Sequence, residues 1–313
     1  MTTLRAAGRA ARDRLLAAGV IEDEVEAEIE AEVLLRYALE TSAPESGDGP
    51  PARRVSAPGR GVTRSALYAR YEDAIEPQVA EQFEALVTRR LGREPSAYIT
   101  GRREFYGLEF KVTPDVLIPR PETEQVVESA LKLARYEPQR ARLRIADIGT
   151  GSGAIAVSLA KALPRAEVSA TDISRAALGV AAENARRHGV ERRIAFRAGH
   201  LLTPLHDYVD LIVANLPYVT TADWSRLEPE LREHEPRLAL DGGSDGLDLI
   251  RDLLRQAPRY LRPGGHVLLE IGEGQVEPLA AFIRDALPPR TLWNAETDFA
   301  GIPRVLSVLP RYR

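Results

Sequence analysis

The chain has 313 residues, 44% of them hydrophobic and 28% charged, with 42 Lys and Arg against 46 Asp and Glu for a formal net charge of −4. This length and composition predict about two soluble globular domains, and the absence of cysteine excludes disulfide scaffolds, thiolate metal sites and cysteine nucleophiles. No stretch approaches the ~18 consecutive apolar residues of a membrane span, and the start Met1-Thr2-Thr3-Leu4-Arg5 lacks the apolar core of a secretory signal, so a cytoplasmic protein without membrane association is expected.

Over 4–39, apolar residues fall at helical spacing (Leu15, Leu16, Val20, then Val25, Ile29, Val33, Leu34), predicting two helices joined near Gly19. Between 41 and 61 come Pro44, Gly47, Gly49, Pro50, Pro51, Pro58 and Gly59, a density of breakers that predicts a flexible surface loop. Helices resume at 65–71 and 79–91, where Phe83, Leu86, Val87 and Leu91 share one face. Residues 1–92 therefore read as a small helical domain. The first hundred residues hold 13 basic and 17 acidic side chains and so carry the whole −4; no basic face of the kind that neutralises phosphates is expected, and no direct nucleic-acid partner.

Residues 97–118 read as a β-hairpin, with period-2 apolar positions over 97–101 and 104–112 about Gly107, which makes 93–121 a linker. From 122 to 313, strands at 143–148, 167–171, 194–197, 209–214 and 266–271 alternate with helices at 154–163, 175–188, 247–261 and 276–287. That alternation predicts an α/β domain built on a parallel sheet covered by helices. Two last strands, 291–296 and 305–309, have no helix between them, so one of them runs antiparallel.

The first strand of this domain ends in Asp147-Ile148-Gly149-Thr150-Gly151-Ser152-Gly153-Ala154, immediately before a helix. Glycines there allow a tight turn and close approach of a ligand, while the helix start offers free N–H groups. The next strand ends at Asp172, 19 residues past Gly153, where a carboxylate can accept hydrogen bonds from ribose hydroxyls. A nucleotide-like cofactor follows, although the loop also satisfies the relaxed dinucleotide pattern. Two features favour S-adenosylmethionine over NAD: Asp147, placed to meet a cationic amino-acid moiety, and Asn215-Leu216-Pro217-Tyr218 at the end of the fourth strand.

That tetrapeptide has the chemistry to grip a planar –NH2 group. The Asn215 side-chain oxygen and the Leu216 carbonyl offer two acceptors, Pro217 holds Leu216 extended, and Tyr218 offers a ring to pack against the target. Methyl transfer from a sulfonium is a displacement that depends on aiming, and acceptors matched to charge developing on nitrogen act mainly in the transition state. An exocyclic adenine amine would suit the same grip. The acidic run Glu228, Glu230, Glu233 and Glu235 reads as a solvated helix face, and His188, His206, His234 and His266 show no ligand spacing, so no metal is expected.

Together these residues resemble the HemK/PrmC family, the glutamine methyltransferases of peptide chain release factors. The resemblance is densest in Arg102-Arg103-Glu104-Phe105-Tyr106, in 112–124, in 147–154, in 210–218, in Asp245-Gly246-Leu247-Asp248 and in Glu270-Ile271-Gly272, with 118–124 the most family-specific. It implies a class I, Rossmann-like S-adenosylmethionine-dependent methyltransferase with a seven-stranded sheet, a helical substrate-recognition domain and a hairpin linker. It also implies methylation of the glutamine side-chain nitrogen in the Gly-Gly-Gln loop of release factors; the sequence does not reveal the oligomeric state, and a monomer is the default expectation. Carried over, Asp147, Gly149, Thr150, Gly151, Ser152 and Gly153 hold the methionine part of the cofactor and Asp172 the ribose. His200 and Leu201 stand where relatives often carry Asp-Trp beside the adenine. Asn215, Leu216, Pro217 and Tyr218 hold the glutamine, with Arg120 and Glu122 in a segment roofing the site. Leu216 replaces the first proline of the usual Asn-Pro-Pro-Tyr. The competing expectations are a ribosomal-protein glutamine methyltransferase, an adenine-specific nucleic-acid methyltransferase, and a catalytically silent module that binds a translation factor.

Overall fold

A computed structural model describes residues 1–42, 61–136 and 142–311, so nearly all of the loop read at 41–61 lies outside the described residues. The chain divides into two compact units, Met1–Gly101 and Arg102–Arg313. In the first, α1 (Leu4–Ala17) opens on Thr3, whose hydroxyl accepts the Ala6 N–H at 3.2 Å. Helix α2 (Glu24–Thr41) opens on Asp23, which accepts the Glu26 N–H at 2.8 Å, and Glu24 and Glu26 set negative charge at the positive end of the helix dipole. Helices α3 (Arg64–Tyr68) and α4 (Pro77–Leu91) follow. The stripes that point inward, Leu34 and Leu35 of α2 with Phe83 and Val87 of α4, close one core over Leu4 and Leu67.

Ala97 to Gly101 is not the first arm of a hairpin. It belongs to a short helix, α5 (Ser96–Thr100), in which the Tyr98 and Ile99 N–H groups both reach the Pro95 carbonyl, and Gly101 ends it at φ +70°. Tyr98, Ile99 and Thr100 are all buried, and a run that short does not distinguish a period of 2 from one of 3.6. The hairpin itself is shorter, β1 (Arg102–Phe105) against β2 (Leu108–Lys111), and is part of the second unit, where Phe105 and Phe110 enter the core. Its two-residue turn holds Tyr106 at φ +52° and Gly107 at φ +69°, and carboxylates of Glu124 and Glu104 accept the two turn N–H groups at 2.8 Å.

Beyond a single 3₁₀ turn at Pro121–Thr123 come α6 (Glu124–Tyr136), β3 (Arg144–Ile148), α7 (Ala154–Ala162), β4 (Glu167–Asp172), α8 (Arg175–Arg187), β5 (Ile194–Ala198) and β6 (Val209–Ala214). After the short helices α9 (Thr221–Trp224) and α10 (Pro229–His234) the chain continues as α11 (Asp248–Gln256), β7 (Leu261–Glu270), α12 (Val276–Ala286), β8 (Leu292–Thr297) and β9 (Pro303–Leu309). The helix expected over 247–261 stops at Gln256, because Pro258 has no N–H to continue it, and Leu261 already pairs with Val209 as the start of β7.

The seven-stranded sheet runs β5-β4-β3-β6-β7-β9-β8, with β3 to β7 parallel and β9 antiparallel to both its neighbours. Helices cover both faces, so its central strands are apolar on both sides: Ile212 and Ala214 pack into one core layer, Leu211 and Val213 into the other. The chain leaves β3 toward β4 and later returns to pair β6 on the other side of β3. A crevice therefore opens beyond the carboxyl ends of β4, β3 and β6, where strand order reverses.

Buried Asn184 of α8 fastens the hairpin to this crevice. Its Nδ2 donates to the Lys111 and Ser152 carbonyls, both at 2.9 Å, and its Oδ1 accepts the Lys111 N–H at 2.8 Å. Asn184→Ala removes the partner of one buried and two part-buried backbone groups and should destabilise the protein by about 2–4 kcal/mol. A urea midpoint equal to that of the wild type contradicts this.

Candidate active site

The turn from β3 into α7 is held from the next strand: the Gly149 and Thr150 N–H groups donate to the Thr171 carbonyl at 2.9 and 3.0 Å. Two of its glycines are required by neighbours as well as by backbone. At Gly149 (φ +69°) a Cβ would lie 3.1 Å from Leu216 Cδ2, and at Gly153 (φ +80°) 3.0 Å from the Cβ of Ala181, so the loop is pressed between the tetrapeptide and α8. The result is a cradle of Gly149, Thr150, Gly151 and Ser152 in front of the first turn of α7, whose Ala154 and Ile155 also line the cavity.

Asp172, at the end of β4, has a structural duty toward this cradle. Its Oδ2 accepts the Gly151 N–H at 2.9 Å and its Oδ1 the Ser174 N–H at 2.8 Å, which couples the loop to the start of α8. Each oxygen keeps further acceptor capacity, and the residue lines the cavity. Beyond the end of the neighbouring β5, His200 and Leu201 also reach the wall, with Leu201 held at φ +49° and its carbonyl accepting from the Thr171 hydroxyl at 2.9 Å.

Asp147 sits behind the loop, off the cavity wall. Its Oδ2 accepts from the Thr150 hydroxyl at 2.7 Å and the Ala156 N–H at 3.1 Å, while its Oδ1 is buried with no hydrogen-bond partner. Burial, only partly opposed by these two bonds, pushes its carboxyl up to about 7. An orphaned carboxyl oxygen behind the loop suits a ligand whose positive charge would favour its ionised form.

At the end of β6, Asn215, Leu216 and Pro217 line the cavity, and Leu216 is buried against the loop. Tyr218 does not line it. Its hydroxyl donates to Glu270 Oε1 at 3.2 Å, and its carbonyl accepts from Gln275 Nε2 at 3.0 Å, whose own Oε1 accepts the Gly272 N–H at 2.9 Å. Thr123 completes the cluster: Asn215 Nδ2 donates to its Oγ1 at 3.0 Å, and the Thr123 hydroxyl donates to Glu270 Oε2 at 2.6 Å. Burial pushes the Glu270 carboxyl up, and burial followed by the Glu270 charge lifts the Tyr218 phenol well above its usual range.

Arg120 and Glu122 are not on the cavity wall either. Arg120 pairs with Glu235, whose other oxygen accepts the Ile118 N–H at 3.0 Å, so this carboxylate staples the segment before Arg120 to the one that carries Pro236 and Leu238 into the cavity. Glu122 is exposed. The acidic run is accordingly not a solvated face throughout, since Glu230 and Glu235 are buried. Thr123, Glu235 and Glu270 are polar residues of the site that no motif spacing singles out. Thr123 and Glu270 lie within 118–124 and 270–272, stretches already conspicuous for their resemblance, whereas nothing in the spacing of Glu235 sets it apart from its exposed neighbours. Among the described residues no group of His, Asp and Glu could hold a metal ion, and no helix is long and apolar enough to cross a membrane.

Fold and site define a Rossmann-like methyltransferase domain, and the family model for the methyltransferase small domain matches residues 128–228. A second family model, the PrmC N-terminal domain, matches 59–101. The chain is 47% identical to a release factor glutamine methyltransferase of Moorella thermoacetica over 88% of this chain and 87% of that one. It is 50% identical to the protein of the same name from Geobacter sulfurreducens over 69% of this chain and 74% of the relative. Among solved structures, the hMettl16 catalytic domain in complex with a MAT2A 3′UTR hairpin aligns with a TM-score of 0.55 at 18% identity, covering 70% of this chain and 81% of that one, a likeness of fold. The chain belongs to the release factor glutamine methyltransferase family.

The state of Asp147 is open to measurement. Its carboxyl stays neutral to about pH 7 in the folded chain, whereas in the unfolded chain it ionises near pH 4. The folded state therefore holds the extra proton between about pH 4 and pH 7, and this residue's contribution to stability falls as pH rises through that window. Asp147→Asn does not titrate, so without ligand its urea midpoint should gain on the wild type as pH rises from about 4 to about 7 and level off above. A difference independent of pH contradicts the buried neutral carboxyl.

Proposed function

We propose that the protein transfers a methyl group from S-adenosylmethionine to the side-chain amide nitrogen of a glutamine, in the Gly-Gly-Gln loop of a peptide chain release factor. The carrying observation is the adjacency of the glycine cradle to Asn215 and Leu216 at the carboxyl ends of paired strands. The names of the relatives, release factor glutamine methyltransferase, agree with it.

The residues present fit this cofactor. Gly149, Gly151 and the first turn of α7 would hold its methionine part, with the unpaired Asp147 oxygen offsetting positive charge from beneath; Asp172 would accept from ribose hydroxyls, and His200 and Leu201 would flank the base. When bound, S-adenosylmethionine supplies an electrophilic methyl group on a sulfonium. Everything else is aiming. Asn215 Oδ1, which has no hydrogen-bond partner among the described residues, and the Leu216 carbonyl would each accept one N–H of the glutamine amide. An amide nitrogen is a poor nucleophile because its lone pair is delocalised, and two acceptors stabilise the positive charge it gains as the new bond forms. Tyr218, tied through its hydroxyl and its carbonyl, keeps the tetrapeptide from swinging out.

The first unit would recognise the body of the release factor. Its excess of acidic over basic side chains and its match to the PrmC N-terminal domain support that division of labour.

Asn215→Ala separates aiming from cofactor binding. In methylation of a full-length release factor kcat should fall by about 10²–10³, as for loss of one transition-state hydrogen-bond partner. The Kd for S-adenosylmethionine by calorimetry should change less than about threefold, because the cradle is untouched. Wild-type kcat in the variant refutes the grip.

A further inference from the structure

An asparagine side chain has two nearly identical ends, and only one of its two orientations presents an acceptor to a substrate –NH2 group. Nothing in Asn215 itself selects that orientation. We propose that Glu270, acting through the Thr123 hydroxyl, fixes the Asn215 amide so that Oδ1 faces the substrate, which makes Thr123 and Glu270 positioning residues for methyl transfer. The inference rests on the glutamine-methylating reading above.

The polarity of the network follows from proton counting. Thr123 directs its single hydroxyl proton to Glu270 Oε2 at 2.6 Å, an oxygen that can only accept when the carboxyl is ionised or carries its proton on Oε1. With its proton committed, Thr123 Oγ1 can only accept from Asn215, which turns Nδ2 toward it at 3.0 Å and leaves Oδ1 for the substrate. Tyr218 donates to the other Glu270 oxygen in the same sense. Thr123 and Glu270 are both almost fully buried, at 4% and 2% exposure, so water does not compete for these bonds. The charged side chains that act on Glu270 are Arg304, which favours its ionised form, and Glu122, which opposes it. Only a proton on Glu270 Oε2 would reverse the relay, by donating to Thr123 and releasing the Thr123 proton toward Asn215, the orientation in which the amide presents Nδ2 to the glutamine and repels it.

The experiment compares Thr123→Val, which keeps the shape and removes the hydroxyl, with Thr123→Ser, which keeps the hydroxyl and removes the methyl. Full-length protein is assayed on a full-length release factor, with S-adenosylmethionine affinity measured by calorimetry. Thr123→Val should lower kcat by about 10–100-fold with a cofactor Kd within about threefold of wild type, and Thr123→Ser should recover kcat to within about threefold. In the Asn215→Ala background Thr123→Val should change kcat by less than about twofold, since the group it orients is gone. A packing role for Thr123 gives the opposite order, Val tolerated and Ser impaired, and that order overturns the proposal. So do losses that multiply in the double variant. If the wild-type protein transfers no methyl to glutamine, the reading beneath the proposal fails and takes the proposal with it; if wild type is active and Thr123→Val is unimpaired, only the relay fails.

Discussion

Everything at this site depends on β3 being paired in parallel with β4 on one side and β6 on the other. Parallel pairing sets the carboxyl ends of the three strands side by side, so the glycine turn, Asp172 and Asn215 meet although they are far apart in sequence. The pairing of Ile148 with Thr171 and with Ala214 is the last rung before the chain breaks into these loops. A slip of one residue in either ladder would turn every side chain of the shifted strand to the other face. The apolar layers on both faces of the sheet oppose such a slip, and so the core that stabilises the second unit also sets the register of its chemistry.

On that frame the site is assembled largely from polar groups that hold one another. Asp172 clamps the glycine turn before it meets any ligand; Glu235 staples two roof segments; Glu270 takes both Thr123 and Tyr218. Carboxylates buried in this way are costly unless each oxygen is used, and the pattern of use is informative. Every oxygen of Asp172, Glu235 and Glu270 has a donor. Asp147 Oδ1 does not, and it lies beneath the cradle proposed to receive a cationic ligand.

Much of this was legible in the sequence because it is local. The glycine turn needs glycine at φ values other residues avoid, the apolar runs of β3 and β6 declare a doubly covered sheet, and Asn215-Leu216-Pro217-Tyr218 is a contiguous string. The losses have physical reasons. Residues 97–101 form a helical turn decided by Pro95 and Gly101, over a run too short to show its period, and the end of α11 was decided by Pro258. The resemblance places Arg120 in the roof of the site, yet its partner, Glu235, is 115 residues away and carries no distinguishing spacing. Thr123 was overlooked because its importance lies in a hydrogen bond to Glu270, 147 residues distant, which only the folded chain reveals.

The proposed grip of Asn215 and Leu216 aims a single amide nitrogen. Its most direct test is fragmentation mass spectrometry of a release factor incubated with the protein and S-adenosylmethionine. A single added methyl group is expected, carried on the side-chain nitrogen of the Gly-Gly-Gln glutamine. A methyl group found on another side chain, or spread over several glutamines, would contradict it.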